Sequence, residues 1–165
     1  MALVLELKEP RPPIDDRWFA NEELPISYQG AAPAAGVLPT YYIPVDTLLL
    51  LQSVSVKLVC SSSVANRRLS LQVLDRSGNL VWGMPDNTAK TASSTTIIQW
   101  GTNAGPTGIS NGIETSWLPH DPRVISEWSL GFLQSGLQTG DQLSAIEVYA
   151  IDYSARLRKS LRSST

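Results

Sequence analysis

Catalysis near neutral pH usually draws on a histidine, or on two carboxyl groups whose surroundings pull their pKa values apart. This chain has one histidine and one cysteine among its 165 residues. His120 lies in Leu118-Pro119-His120-Asp121-Pro122, where the flanking prolines predict a rigid surface loop rather than a strand end that aims a side chain. Serines abound, but none is read as a nucleophile elbow or as half of a Ser-x-x-Lys pair set beside a base. A lone histidine and a lone cysteine cannot fill a zinc shell, which leaves carboxylate and carbonyl oxygens for a harder cation such as calcium. Asp75 to Asn79 and Asp141-Gln142 contain such oxygens, yet a turn-forming acid that accepts nearby backbone amides explains both stretches. The glycine-rich run from Gly101 to Gly108 lacks the lysine of a phosphate-binding loop. No catalytic residue, metal ligand or cofactor is expected, and the chain is read as a non-enzyme.

What remains is the chemistry of contact. Five tryptophans raise the reading of a carbohydrate- or receptor-binding module, because sugars stack on exposed indole faces. Trp82, Trp100 and Trp128 fall in strand-like runs with apolar neighbours and are expected at core or rim positions, which leaves Trp18 and Trp117 as the freer pair. Trp and Arg dominate protein interfaces, so Ile14, Arg17, Trp18 and Phe19, with Tyr28 further along, are candidate partner-binding residues. Asn66-Arg67-Arg68 is a second candidate, since two arginines at a strand entrance can bridge carboxylates of a neighbouring subunit. The alternative for that triplet is a turn at Asn66 with the arginines guarding a strand edge against aggregation.

These residues need elements to hold them. A chain of this length suits one domain with one core. Apolar residues make up 42% and charged residues only 17%, below the roughly 25% of ordinary soluble proteins, so the surface must be rich in Ser, Thr, Asn, Gln and Gly. Such a surface suits contacts with other proteins. The net charge of −2 gives no field that draws the chain to nucleic acid or an anionic membrane, and neither partner is expected. Leu48 to Leu51, like every other apolar run in the chain, falls far short of the roughly 20 residues that cross a bilayer. Met1 to Lys8 lacks the basic start and apolar stretch of a secretory signal, so synthesis in a cytoplasm is expected. Cys60, in an apolar run, is read as a small buried hydrophobe.

Residues 1–36 carry Pro10, Pro12, Pro13, Pro25 and Pro33, a density that argues against any regular element, together with apolar side chains too numerous for a solvated tail. They are read as an extended N-terminal arm that lies either on its own domain or on a neighbouring subunit. Residues 37–153 form the domain: short β-like runs separated by Gly, Pro, Asn, Asp and Ser, which predict an all-β antiparallel sandwich, jelly-roll-like, of about seven or eight strands. Leu48 to Cys60 is the clearest strand, with Leu50, Val54, Val56, Leu58 and Cys60 on one face and Ser53, Ser55 and Lys57 on the other. Arg67 to Asp75 places Leu69, Leu71 and Val73 inward, and Asp75 to Asn79 turns the chain into Leu80-Val81-Trp82. Thr95 to Trp100, Ile113 to Leu118, Ser126 to Leu133 and Leu143 to Tyr153 are further strands, the last with Ile146, Val148 and Ala150 sharing a face. Residues 154–165 are a locally basic tail, read as a solvated terminus.

Three stretches carry a resemblance: Leu51 to Val59, then Ser63 to Val73 with its Val-Ala-Asn-Arg turn, and Thr139 to Tyr149 with its Gly-Asp-Gln lead into the closing strand. In them the chain resembles tailed-bacteriophage structural proteins of the jelly-roll cement or decoration type. The resemblance implies a virion protein, assembled in the host cytoplasm, that binds major capsid subunits or other virion subunits as a homo-oligomer, with a trimer favoured. The long apolar arm departs from that pattern and fits a neck, tail or baseplate component as well.

Overall fold

The alternation of apolar and polar residues from Val37 onward becomes a sandwich of two antiparallel-rich sheets in the computed structural model, which describes residues 3–4, 6–7, 24–102, 109–110 and 112–154. In chain order the strands are β1 (Leu3–Val4), β2 (Glu6–Leu7), β3 (Leu24–Gly30), β4 (Thr40–Tyr42), β5 (Leu48–Val59), β6 (Arg68–Leu74) and β7 (Leu80–Pro85). They continue as β8 (Thr95–Gly101), β9 (Ile109–Ser110), β10 (Ile113–Trp117), β11 (Arg123–Ile125), β12 (Ser129–Ser135) and β13 (Gln142–Asp152). One sheet has the order β1-β4-β12-β6-β7, and the other runs β2-β3-β13-β5-β8-β10-β9 with β11 beside the start of β5. Two pairings are parallel, β1 with β4 and β8 with β10; the rest of the ladder is antiparallel.

Period-two patterning explains the core. Leu69, Leu71 and Val73 of β6, and Ile146, Val148 and Ala150 of β13, are fully buried from opposite sheets, as the sequence predicts. Trp100 of β8 and Phe132 of β12 meet across the interior at a ring separation of 6.2 Å and a tilt of 46°. Cys60 is buried, and Trp82 and Trp128 pack half-buried against the core. β5 departs from a strict alternation. Its pairing with β13 slips by one residue between Ser53 and Leu51, a bulge at Gln52 that flips the parity, so Leu49 and Leu51 are buried ahead of the bulge instead of Leu50.

The expected boundary between arm and domain does not hold. β3, inside residues 1–36, pairs with β13 over seven residues, and Tyr28 is buried at 2% exposure. Pro25 is tolerated because it sits at the start of a strand, where a missing amide donor is least damaging. Ahead of β3, Leu3–Val4 extends one sheet through β4 and Glu6–Leu7 extends the other through β3, so this segment pairs with its own domain. Residues 8–23 and the tail beyond Ser154 lie outside the described residues.

Candidate functional site

Among the described residues, two clusters of buried charge and one exposed sheet face stand out. The first cluster forms where the turn before β13 meets the segment leading into β6. Arg67 and Asp141 are both fully buried, and Arg67 Nε donates to Asp141 Oδ2 at 2.9 Å. The remaining guanidinium donors go to the carbonyls of Ala65 and Ser63 at 3.0 and 2.9 Å and to Ser61 Oγ at 3.0 Å. Asp141 also accepts the Ser61 amide and hydroxyl, the Gln138 amide and the Gln134 side-chain amide. Burial alone would raise the Asp141 carboxyl, but the guanidinium and these donors outweigh it and hold it at about 2, while the same bond raises Arg67. Gly136 makes the approach possible: at φ +71° its backbone passes so close to Asn66 that a Cβ would lie 2.4 Å from the Asn66 carbonyl oxygen.

The second cluster joins the two sheets at one edge. Asp86 and Lys90 lie on the connection from β7 to β8, and Glu114 points inward from β10; all three side chains are buried. Lys90 Nζ lies 2.6 Å from Asp86 Oδ2 and 2.5 Å from Glu114 Oε2, and donates to the Thr88 carbonyl. Glu114 Oε1 accepts the amides of Asn87 at 2.6 Å and Thr88 at 2.9 Å, and Asp86 Oδ2 accepts the amide of Leu69 at 2.9 Å. Asp86 Oδ1 is buried and accepts no hydrogen bond among the described residues. Burial pushes the Asp86 carboxyl up, the neighbouring Glu114 charge adds to the rise, and the Leu69 amide and the Lys90 ammonium only partly offset it.

β10 is turned against its own pattern. Glu114 and Ser116 face the interior, whereas Ile113 and Trp117 stand 41% and 46% exposed on the outer face. Ile97 of β8, opposite Ile113 in the register, is 41% exposed beside it. A second aromatic shares this face: the cross-strand row Trp117, Gly101, Ser53, Tyr149 ends on a tyrosine that is 46% exposed. Three strand spacings separate the two aromatics, roughly 14 Å.

Among the sequence candidates, Ile14, Arg17, Trp18 and Phe19 lie outside the described residues. Tyr28 faces the core rather than a partner. Asn66 and Arg68 are exposed, but Arg67 bridges a carboxylate of its own chain instead of a neighbour's, and it is unavailable outside. Arg68 does not guard an edge, because β6 is paired on both sides. His120 is exposed in its loop. Both candidate cation stretches turn their oxygens on donors: Asp75 accepts the amides of Ser77 and Asn79 and the Asn79 side chain, which lowers its carboxyl, and Asp141 holds Arg67. Gly108-Ile109-Ser110-Asn111-Gly112 does spell Gly-x-Ser-x-Gly, contrary to the sequence reading. Ser110 ends β9, which pairs antiparallel with β10, so the stretch lacks the strand-turn-helix that a nucleophile elbow requires. Asp86, Lys90 and Glu114 escaped sequence reasoning; the only signal was a charged residue in mid-strand at Glu114.

Compared with protein-family models, curated proteins and solved structures, the chain matches none. The likeness to phage structural proteins rests on its three stretches alone.

Proposed function

We propose that this protein is a structural subunit that works by binding other protein subunits, and that its setting is the virion of a tailed bacteriophage, as a cement or decoration protein on major capsid subunits. The observation that carries the binding role is the reversed β10. A strand that buries Glu114 and Ser116 while displaying Ile113 and Trp117 departs from the arrangement that would stabilise an isolated monomer, and such conflicts concentrate at functional surfaces. With Ile97 these side chains make an exposed apolar patch on the sheet face. The virion setting rests on the resemblance of residues 51–59, 63–73 and 139–149. Neighbours in a particle are held at high effective concentration, so patches of modest individual affinity bind by avidity. A neck, tail or baseplate position is the alternative within the same reading. The test is the double variant Ile97→Ser/Trp117→Ser: its melting temperature stays close to that of the wild type, while its occupancy of particles falls at least tenfold. Unchanged occupancy removes this face from the reading.

A second reading has its own observation. Trp117 and Tyr149, exposed on one cross-strand row with Gly101 and Ser53 between them, suit a neutral saccharide lying along the row. It predicts saturable quenching of tryptophan fluorescence by an oligosaccharide, lost in Tyr149→Ala.

A further inference from the structure

We propose that Lys90 and Asp86 condense spontaneously into an intramolecular amide, with Glu114 moving the protons. A primary amine, a carboxyl group and a second carboxylate held at hydrogen-bonding distance, in a site closed to water, are the reactants and the general base of amide formation. Lys90 Nζ touches both carboxyl groups, at 2.6 Å from Asp86 Oδ2 and 2.5 Å from Glu114 Oε2. Holding reactants in this way replaces the entropy of a bimolecular encounter.

The two acids are held differently, and the difference assigns their roles. Glu114 Oε1 accepts two backbone amides, which fix the side chain and leave Oε2 turned to the amine as the base. Asp86 Oδ1 and Glu114 Oε2 are both buried without a hydrogen bond among the described residues, but Oε2 is the oxygen that lies 2.5 Å from the amine; that leaves Oδ1 as the place for a proton, and the neutral Asp86 is the electrophile that amide formation needs. The direction of the Asp86 shift agrees, since burial favours the protonated form. Asp86 Oδ2 accepts the Leu69 amide at 2.9 Å, a donor aimed at the oxygen on which negative charge develops during attack.

The step balances without any co-reactant. A proton passes from the Lys90 ammonium to the carboxylate pair, leaving a free amine beside a neutral Asp86. The Nζ electron pair attacks Asp86 Cγ, and the Nζ–Cγ bond forms. Glu114 takes a proton from Nζ and delivers it to Oδ1, the Cγ–Oδ1 bond breaks, and one water leaves. Oδ2 remains as the amide carbonyl oxygen, still held by the Leu69 amide. The product closes a ring over residues 86–90 and removes two of the three buried charges that otherwise share the edge between β7 and β10. That gain is one of permanence, useful to a subunit of a particle, although the inference does not depend on the particle.

Intact mass spectrometry of the purified, folded full chain, followed by peptide mapping with trypsin, tests it. The expected chain is one water lighter than its sequence, resists cleavage after Lys90, and yields a peptide in which Lys90 and Asp86 are joined. Glu114→Gln keeps an acceptor for the two amides but cannot take the proton, and Lys90→Arg removes the nucleophile; both are expected at full mass. A folded wild-type chain at full mass that is cut normally after Lys90 overturns the proposal, whatever the variants do. A water loss mapped to Lys90 and Glu114, or to any other pair, overturns it as well.

Discussion

At the scale of the residue, the molecule places its charges inside and its hydrophobes outside at the positions of interest. Asp141 accepts from Arg67, Ser61, Gln134 and Gln138, so Asp141→Asn leaves a guanidinium buried without its counter-charge. Breaking one partner of a buried pair costs about 3–5 kcal/mol, and denaturant titration of the variant is expected to show a loss of that size. The pH dependence has a definite sign. A carboxyl held at about 2, against an ordinary value of 3.8, contributes stability that is fully present above pH 4 and is lost as pH falls toward 2. The depression corresponds to about 2–3 kcal/mol. As a free acid, before condensation with Lys90, Asp86 acts in the opposite sense: its carboxyl is raised, so its ionisation in the folded chain weakens the fold and falling pH relieves that penalty. Melting curves of wild type and Asp141→Asn across pH 2–6 are expected to converge at the acid end. Gly136→Ala is expected to destabilise the same junction, because the added methyl meets the Asn66 carbonyl at a backbone angle that L-residues rarely adopt.

At the scale of the element, the strands that alternate over long runs were legible and the short or irregular ones were not. β5, β6, β8 and β13 follow period two, and the Asp75 hairpin follows turn chemistry, so residue types alone locate them. β4 and β11, three residues each, leave no period to read. β3 was hidden by Pro25 and by the prolines before it, which tell of the segment 10–25 and not of Ser27-Tyr28-Gln29. The bulge at Gln52 is a tertiary fact: which leucine of Leu48 to Leu51 turns inward depends on the slip against β13. The facing of β10 is also set by its neighbours: the sequence marks Trp117 as a freer tryptophan, and it is exposed, but nothing local reports that Glu114 and Ser116 turn inward. Arg67 and Asp141 are 74 residues apart, and nothing local in the sequence reports that pairing. The placement of β3 makes a sharp prediction. A chain beginning at Val37 loses the partner of β13 and the buried Tyr28 ring, and is expected to give neither dispersed amide resonances nor a cooperative melt. Tyr28→Ala in the full chain is expected to lose about 3–5 kcal/mol, as for other buried aromatics.

At the scale of the whole molecule, the architecture separates stability from contact. The interior is tied by two charge clusters, one fastening the turn before β13 to the start of β6 and one fastening the β7 edge of one sheet to β10 of the other. The outer face over β8 and β10 is left with Ile97, Ile113 and Trp117 showing. A subunit of an assembly gains from this division, because its surface can be fitted to neighbours without disturbing the ties that hold the sheets together. The central claim, that the protein is a structural component of a virion, is tested most directly by counting its copies in purified particles, by quantitative mass spectrometry against the major capsid subunit. The account predicts a fixed stoichiometry that survives washing, with hundreds of copies for a cement protein and a dozen or so for a neck, tail or baseplate component. Particles that lack the protein altogether would contradict it.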